Sequence, residues 1–214
     1  MEKFCAFLKR KNIVFSARRY GIDALGAMAQ GLFCSLLIGT IIKTLGTQLN
    51  LSYLSDIGSY AMAVSGPAMA VAIGYALKAD PMVLFSLAAV GWAANAEGGA
   101  GGPLAVLIIA ECGKAVSKET KIDILVTPGV TILVGVALAK WIAPPIGTAA
   151  GAFGLLIDNA TRLQPFWMGI AVSVLVGVAL TLPISSAAIC SVLQLTGLAG
   201  GAAVAGCCAQ MVGF

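Results

Sequence analysis

The sequence contains no histidine and little charge: 13 Lys and Arg and 9 Asp and Glu among 214 residues, 10% of the chain. Without imidazole it lacks the commonest metal ligand and any phosphohistidine acceptor, so chemistry of that kind must sit on another chain. Roughly a quarter of a soluble domain is charged, so the shortage excludes a surface built for water. Six cysteines form no CxxC pair, which removes zinc-site and haem-attachment readings and leaves no implied metal or cofactor. Cys34, Cys112, Cys190, Cys207 and Cys208 lie in apolar runs and read as small packing residues. No phosphate-binding loop and no nucleophile–base pair is present either, so no catalytic residue can be named.

What the chain has is hydrocarbon and glycine: 59% hydrophobic residues, 26 glycines and a mean hydropathy of +0.98. Small residues let helices approach closely in lipid. The expected fold class is an all-α polytopic membrane protein with about five to seven transmembrane or re-entrant helices plus one interfacial amphipathic helix. Residues 1–20 form a basic segment, with Lys3, Lys9, Arg10, Lys11, Arg18 and Arg19 against Glu2 alone. No cleavage site follows, and the positive-inside rule keeps this segment cytoplasmic. Beside a membrane span, basic charge indicates topology and not nucleic-acid binding. Residues 21–214 form the membrane domain.

A first span is expected over about 22–49, followed by a short polar link over 46–56. A second covers 57–77 and is kinked at Gly66-Pro67. Pro81 suits a helix start. Residues 82–113 have charged flanks on the same side and form a hairpin, either two short tilted spans or a re-entrant pair meeting at the NAEGGAGGP tip. A span over 124–142 ends at Trp141 and Pro144-Pro145. Residues 146–163 suit an amphipathic helix in the interface, and Pro165 opens a span over 166–182. The tail 183–214 reads as another hairpin, broken at Gly197 to Gly201.

Polar groups within such segments are costly and mark cavities or partners. Asn95 and Glu97 at the glycine tip offer directional hydrogen bonds to an oxygen-rich ligand. Asp158, Asn159 and Gln164 flank the amphipathic segment. Ser185 and Ser186 follow Pro183, where freed carbonyls and hydroxyls can line a polar cavity. Glu111, three residues before Lys114, is explained by an ion pair near the interface.

The stretch IDILVTPGVTILVGVALAKWIAPPIGTAAGAFGLLIDNATRLQPFWMGIAVSVLVGVALTLPISSAAI resembles the membrane-embedded enzyme IIC component of the phosphoenolpyruvate–sugar phosphotransferase system, its fructose-type branch in particular. FSLAAVGWAANAEGGAGGPLAVLIIAECGKAVSKETKIDI and GLAGGAAVAGCCAQMVGF resemble the stand-alone IIC-like group of PfoR-type toxin regulators. The resemblance implies a IIC-like transport domain that binds a sugar or polyol in a midplane cavity and moves it inward. It also implies a homodimer in the bacterial cytoplasmic membrane, with IIB and IIA subunits acting in trans and supplying any phosphoryl transfer. Relatives in this group are longer, so the domain is expected to be C-terminally truncated. Where fructose-type chains carry an acidic, glycine-rich re-entrant motif, this chain has LPISSAAI. Two alternatives stay open: a IIC-fold sensor or regulator without transport, and a transporter or channel for a non-sugar solute.

Overall fold

The computed structural model describes residues 7, 10–13, 16–119, 122–163, 165–181 and 197–213. Among them there are eight helices and no strand. Helix α1 spans Arg19–Gln48 and passes through two π-helical stretches, Arg19–Ala24 and Phe33–Leu37. In the second stretch the buried Ser35 hydroxyl donates back to the Gly31 carbonyl, 2.7 Å away, which satisfies it where the helix widens. Thr40, Thr44 and Thr47 are exposed, and each donates to the carbonyl four residues earlier. Such back-bonding lets a hydroxyl face hydrocarbon without an unpaired donor.

The first link is shorter than the sequence suggests. Leu49 to Leu51 suffices because Asn50 takes a left-handed conformation (φ 53°) and Leu51 N–H closes on the Gly46 carbonyl at 2.9 Å. Helix α2, Ser52–Ala63, then returns along the second half of α1. Helix α3, Ser65–Ala76, follows after a bend of 44°. The bend falls at Val64, ahead of the expected Gly66-Pro67. Breaking there places Pro67 in the first turn of α3, where its missing N–H costs nothing.

Lys78 repeats the left-handed turn (φ 55°), and Pro81 opens α4, Pro81–Gly98, as expected. Val83, Ser86, Leu87, Val90, Gly91 and Ala94 are buried on α4 at alternating three- and one-residue steps, one stripe of a helix. Phe85 and Trp92 point outward, 71% and 55% exposed. A 3₁₀ segment, Gly99–Ala105, leads to α5, Val106–Val116. At 1.5 Å per residue α4 rises about 27 Å, close to the ~30 Å hydrocarbon core of a bilayer.

Helix α6, Asp123–Leu163, is a single 41-residue element. The turn expected at Pro144-Pro145 is not there; the helix continues through both prolines. The 3₁₀ segment and the end of α4 pack beside this stretch of α6, and the Thr148 hydroxyl donates to the Pro145 carbonyl at 3.1 Å. Neighbouring helices of this kind support a helix that has lost two backbone donors. Helices α7, Pro165–Thr181, and α8, Gly197–Gly213, pack on each other. Gly200 and Gly201 lie inside α8, so the expected glycine break is confined to Gly197 at its start (φ 56°). Residues 182–196, which would complete that hairpin, lie outside the described residues.

The core is apolar and centred on α4, with Met28 and Leu32 of α1, Met69 and Ile73 of α3, Ile109 of α5 and Ala139 and Ala143 of α6. The outer surface is also apolar: Leu45, Tyr53, Tyr75, Leu133, Trp141 and Trp167 are exposed. Arg19–Gln48 and Asp123–Ala149 are long and apolar enough to cross a membrane, and the bent pair α2–α3 adds a third if counted as one span. A chain apolar inside and out is a membrane protein. Cys34, Cys112 and Cys208 are free and exposed, so at these positions the cysteines do not pack inward as expected but lie on the outer surface. A thiol is apolar enough to suit that position.

Candidate functional site

Several helix irregularities meet in one region. The first turn of α3 packs on α4 so closely that a Cβ at Gly66 would lie 2.5 Å from Asn95 Cβ and 2.6 Å from the Gly91 carbonyl oxygen. Only glycine fits there, and its absence of side chain seats the half-buried Asn95 against the α2–α3 break. One turn on, α4 ends at Gly98, and Gly99 adopts φ 58° and ψ −149°, a conformation essentially reserved for glycine. Gly98 in turn lies against Ala143 and Gly147 of α6, on either side of the two prolines. Prolines at 144 and 145 leave the carbonyls of residues 140 and 141 without their usual i+4 donors. The region therefore combines the half-buried amide of Asn95, the α2–α3 break and, two residues on and exposed on another face of α4, the Glu97 carboxylate.

Of the residues expected to bind substrate, Asn95 and Glu97 share this region. Asp158 and Asn159 lie on α6, and Asn159 is exposed; along the helix it is about 18 Å beyond Gly147. Gln164, Ser185 and Ser186 lie outside the described residues.

A second polar centre, at the opposite end of α4, was read from sequence only as an i,i+3 pair. Lys114 is 3% exposed and its Nζ donates to Glu111 Oε2 at 2.8 Å, to the Asn12 carbonyl at 2.9 Å and to the Leu77 carbonyl at 3.0 Å. The ammonium's three donors are all used. Glu111 also accepts the Tyr20 hydroxyl at 3.0 Å. The pair is thus buried among four chain segments, a depth the i,i+3 spacing alone does not indicate. Arg19 donates to the same Leu77 carbonyl, Lys11 donates to the Ser117 carbonyl, and both Arg10 and Lys11 pair with Glu119. Asp80 accepts from Ser117 Oγ at 2.9 Å and from Lys118 Nζ at 2.5 Å.

Electrostatics follow from these contacts. Burial pushes the Asp80 carboxyl up, but hydrogen bonds from Lys118 and Ser117 outweigh it and hold the group below its ordinary 3.8. The same bond to Asp80 raises Lys118 above its ordinary 10.5. The hydrogen bond from Lys11 lowers Glu119. Three segments that the charge pattern assigned to one side of the membrane, 10–12, 77–80 and 114–119, therefore meet at one end of the molecule. The sequence signal for this centre was the recurrence of Lys and Arg near each turn; apart from Glu111 for Lys114, their partners were not legible.

One internal polar group is left over. Thr131 Oγ1, on α6, is buried without a hydrogen-bond partner among the described residues, beside Gly113 in an apolar cavity of about 140 Å³ between α5 and α6.

Comparison with known families places this architecture. The model of the family "Phosphotransferase system, EIIC" matches residues 22–214, and the chain belongs to that family. It is a membrane component of the sugar phosphotransferase system. No curated protein and no solved structure matches it.

Proposed function

We propose that this chain is a IIC-like subunit of the fructose-type branch, close to the PfoR-type group, that binds a sugar or polyol within the membrane and translocates it. IIA and IIB subunits in trans would drive the process and carry out any phosphoryl transfer. The observation that carries this reading is the convergence of the α2–α3 break, Asn95 and the end of α4. Counted from the charged end, Ser65 lies about 18 Å and Asn95 about 21 Å along their helices, within a core of ~30 Å. Irregular backbone at such depth is tolerated where it faces protein or a polar cavity. Asn95 would supply amide donors and an acceptor to a hydroxyl-rich ligand, and Glu97 two acceptor oxygens. Asp158, Asn159, Gln164, Ser185 and Ser186 are proposed as further contacts. The chain would act as a homodimer in the bacterial cytoplasmic membrane, with residues 1–20 on the cytoplasmic side and the hairpin 82–113 lining the solute path.

Equilibrium binding of radiolabelled sugars and polyols to the detergent-solubilised protein tests the reading. One member of the panel should bind, and Glu97→Gln and Asn95→Ala should each weaken it about tenfold or more, the loss of one or two hydrogen bonds with a charged or polar partner. Absence of binding across the panel overturns transport of this class.

A regulatory reading is favoured by one separate observation: Arg10, Lys11 and Asn12 are tied to residues 114–119, so the basic segment is held against the membrane domain. A sensor would release or reposition it on ligand binding. Deleting residues 1–18 would then abolish signalling while insertion persists; an unchanged regulatory phenotype removes this reading.

A further inference from the structure

Two cavities adjoin at the charged end. One is an outward-opening apolar groove of about 510 Å³, lined by Ile13, Tyr20, Leu107, Ile108 and Cys112, with Glu111 at its edge. The other is a polar cavity of about 300 Å³, where Arg10, Lys11, Lys78, Lys114 and Lys118 face only two carboxylates, Asp80 and Glu119. The Glu111–Lys114 ion pair, 2.8 Å long, joins them: Glu111 lines the groove and Lys114 the cavity.

We propose that the two cavities together bind one anionic phospholipid of the surrounding bilayer, its phosphodiester in the polar cavity and an acyl chain along the groove. Charge selects the headgroup. Lys114 is spent on Glu111, so the other four cations, Arg10, Lys11, Lys78 and Lys118, stand against Asp80 and Glu119 and leave a positive excess, and the side chains of Arg10 and Lys118 are 64% and 68% exposed. Arginine has five N–H donors and lysine three, so the bonds to Glu119 and Asp80 leave donors for a phosphate. Basic pockets between helices at the membrane edge take anionic headgroups for this reason. The groove selects the chain. Ile108 and Cys112 are exposed at its mouth, where the protein's outer surface is hydrocarbon-like. Its one carboxylate, Glu111, is neutralised by Lys114 and accepts the Tyr20 hydroxyl, so the wall presents no bare charge to an alkyl chain. A free phosphate would use the cavity and leave the groove empty; an amphiphile uses both.

Native mass spectrometry of the full chain in detergent, titrated with phosphatidylglycerol or phosphatidylcholine, tests the assignment. Retention of phosphatidylglycerol should exceed that of phosphatidylcholine about tenfold, as expected for several juxtamembrane cations acting together. The triple change Arg10→Gln, Lys78→Gln, Lys118→Gln should erase the preference. Ile108→Trp, which fills the groove mouth, should lower phosphatidylglycerol retention, and inorganic phosphate at equal concentration should not displace the lipid. Equal retention of the two lipids overturns the proposal, as does a preference that survives the triple change. Displacement by phosphate with no effect of Ile108→Trp assigns the cavity to a soluble anion and overturns it. Loss of a dimer in Ile108→Trp with lipid retention unchanged assigns the groove to a second copy and likewise overturns it.

Discussion

Lys114 and Glu111 form a buried ion pair, Nζ to Oε2 2.8 Å, at the point where α5, the C-terminal end of α3 and the N-terminal segment meet. The ammonium also accepts the role of C-cap, since Leu77 follows directly on α3 and its carbonyl lies at the negative end of that helix. Lys114→Met removes the cation and leaves a buried carboxylate without its charge partner. Breaking one side of such a pair costs about 3–5 kcal/mol. Thermal unfolding in detergent should show a large loss of stability, and adding Glu111→Gln should recover part of it. Equal stability of wild type and Lys114→Met would show that the pair contributes nothing.

The contact between Asp80 and Lys118 makes stability depend on pH at both extremes. Asp80 titrates below its ordinary 3.8, so its contribution is present above that value and is lost as pH falls through the folded value. Lys118 titrates above 10.5, so its contribution is present below that value and is lost as pH rises through the folded value. Between these limits the contact should be constant. The unfolding midpoint, followed from pH 7 down to pH 3, should fall less steeply in Asp80→Asn than in wild type; identical acid limbs would exclude this contribution.

Gly66 and Gly129 should respond in opposite senses to alanine. At Gly66 the added Cβ would meet Asn95 and the Gly91 backbone at 2.5–2.6 Å, whereas at Gly129 nothing lies within 4 Å. Overpacking at the first should destabilise by about 1–3 kcal/mol and shift Asn95. At the second, the helix should gain up to about 1 kcal/mol from alanine's better propensity. Unfolding midpoints of the two variants check both signs.

Thr131→Val removes a buried hydroxyl that has no partner among the described residues while keeping the β-branched shape. A buried unsatisfied group costs about 1–3 kcal/mol, so the variant should be more stable than wild type by a comparable amount. A lower midpoint would mean that the hydroxyl has a favourable interaction.

Much of the fold was legible in composition and spacing. Pro81 starts α4 and Pro165 starts α7, since fixed φ and a missing N–H suit a first turn. The inner face of α4, the buried stripe from Val83 to Ala94, was not legible, because Met82, Phe85 and Trp92 make the outer face just as apolar. Pro144-Pro145 misled, because helix propensity favours a turn there while packing against Gly98 and the 3₁₀ segment supports a continuous α6. Glu111 was read correctly as the partner of Lys114, but the burial of the pair was not legible, since it depends on Tyr20, Asn12 and Leu77, distant in sequence. In the candidate site, the hydrogen-bonding character of Asn95 and Glu97 was visible, and the glycine-to-asparagine contact with α3 was not.

By itself the sequence determined the solvent this protein lives in, the helical class and the places where helices can begin. Those are local matters, set by hydropathy, residue geometry and charge. Only the tertiary structure decided which irregularities face one another, that the α2–α3 break opens beside Asn95, and that cations near three separate turns enclose one cavity beside an apolar groove. Such pairings depend on close helix approach, which no single segment encodes because it takes two glycine-lined faces to make one contact.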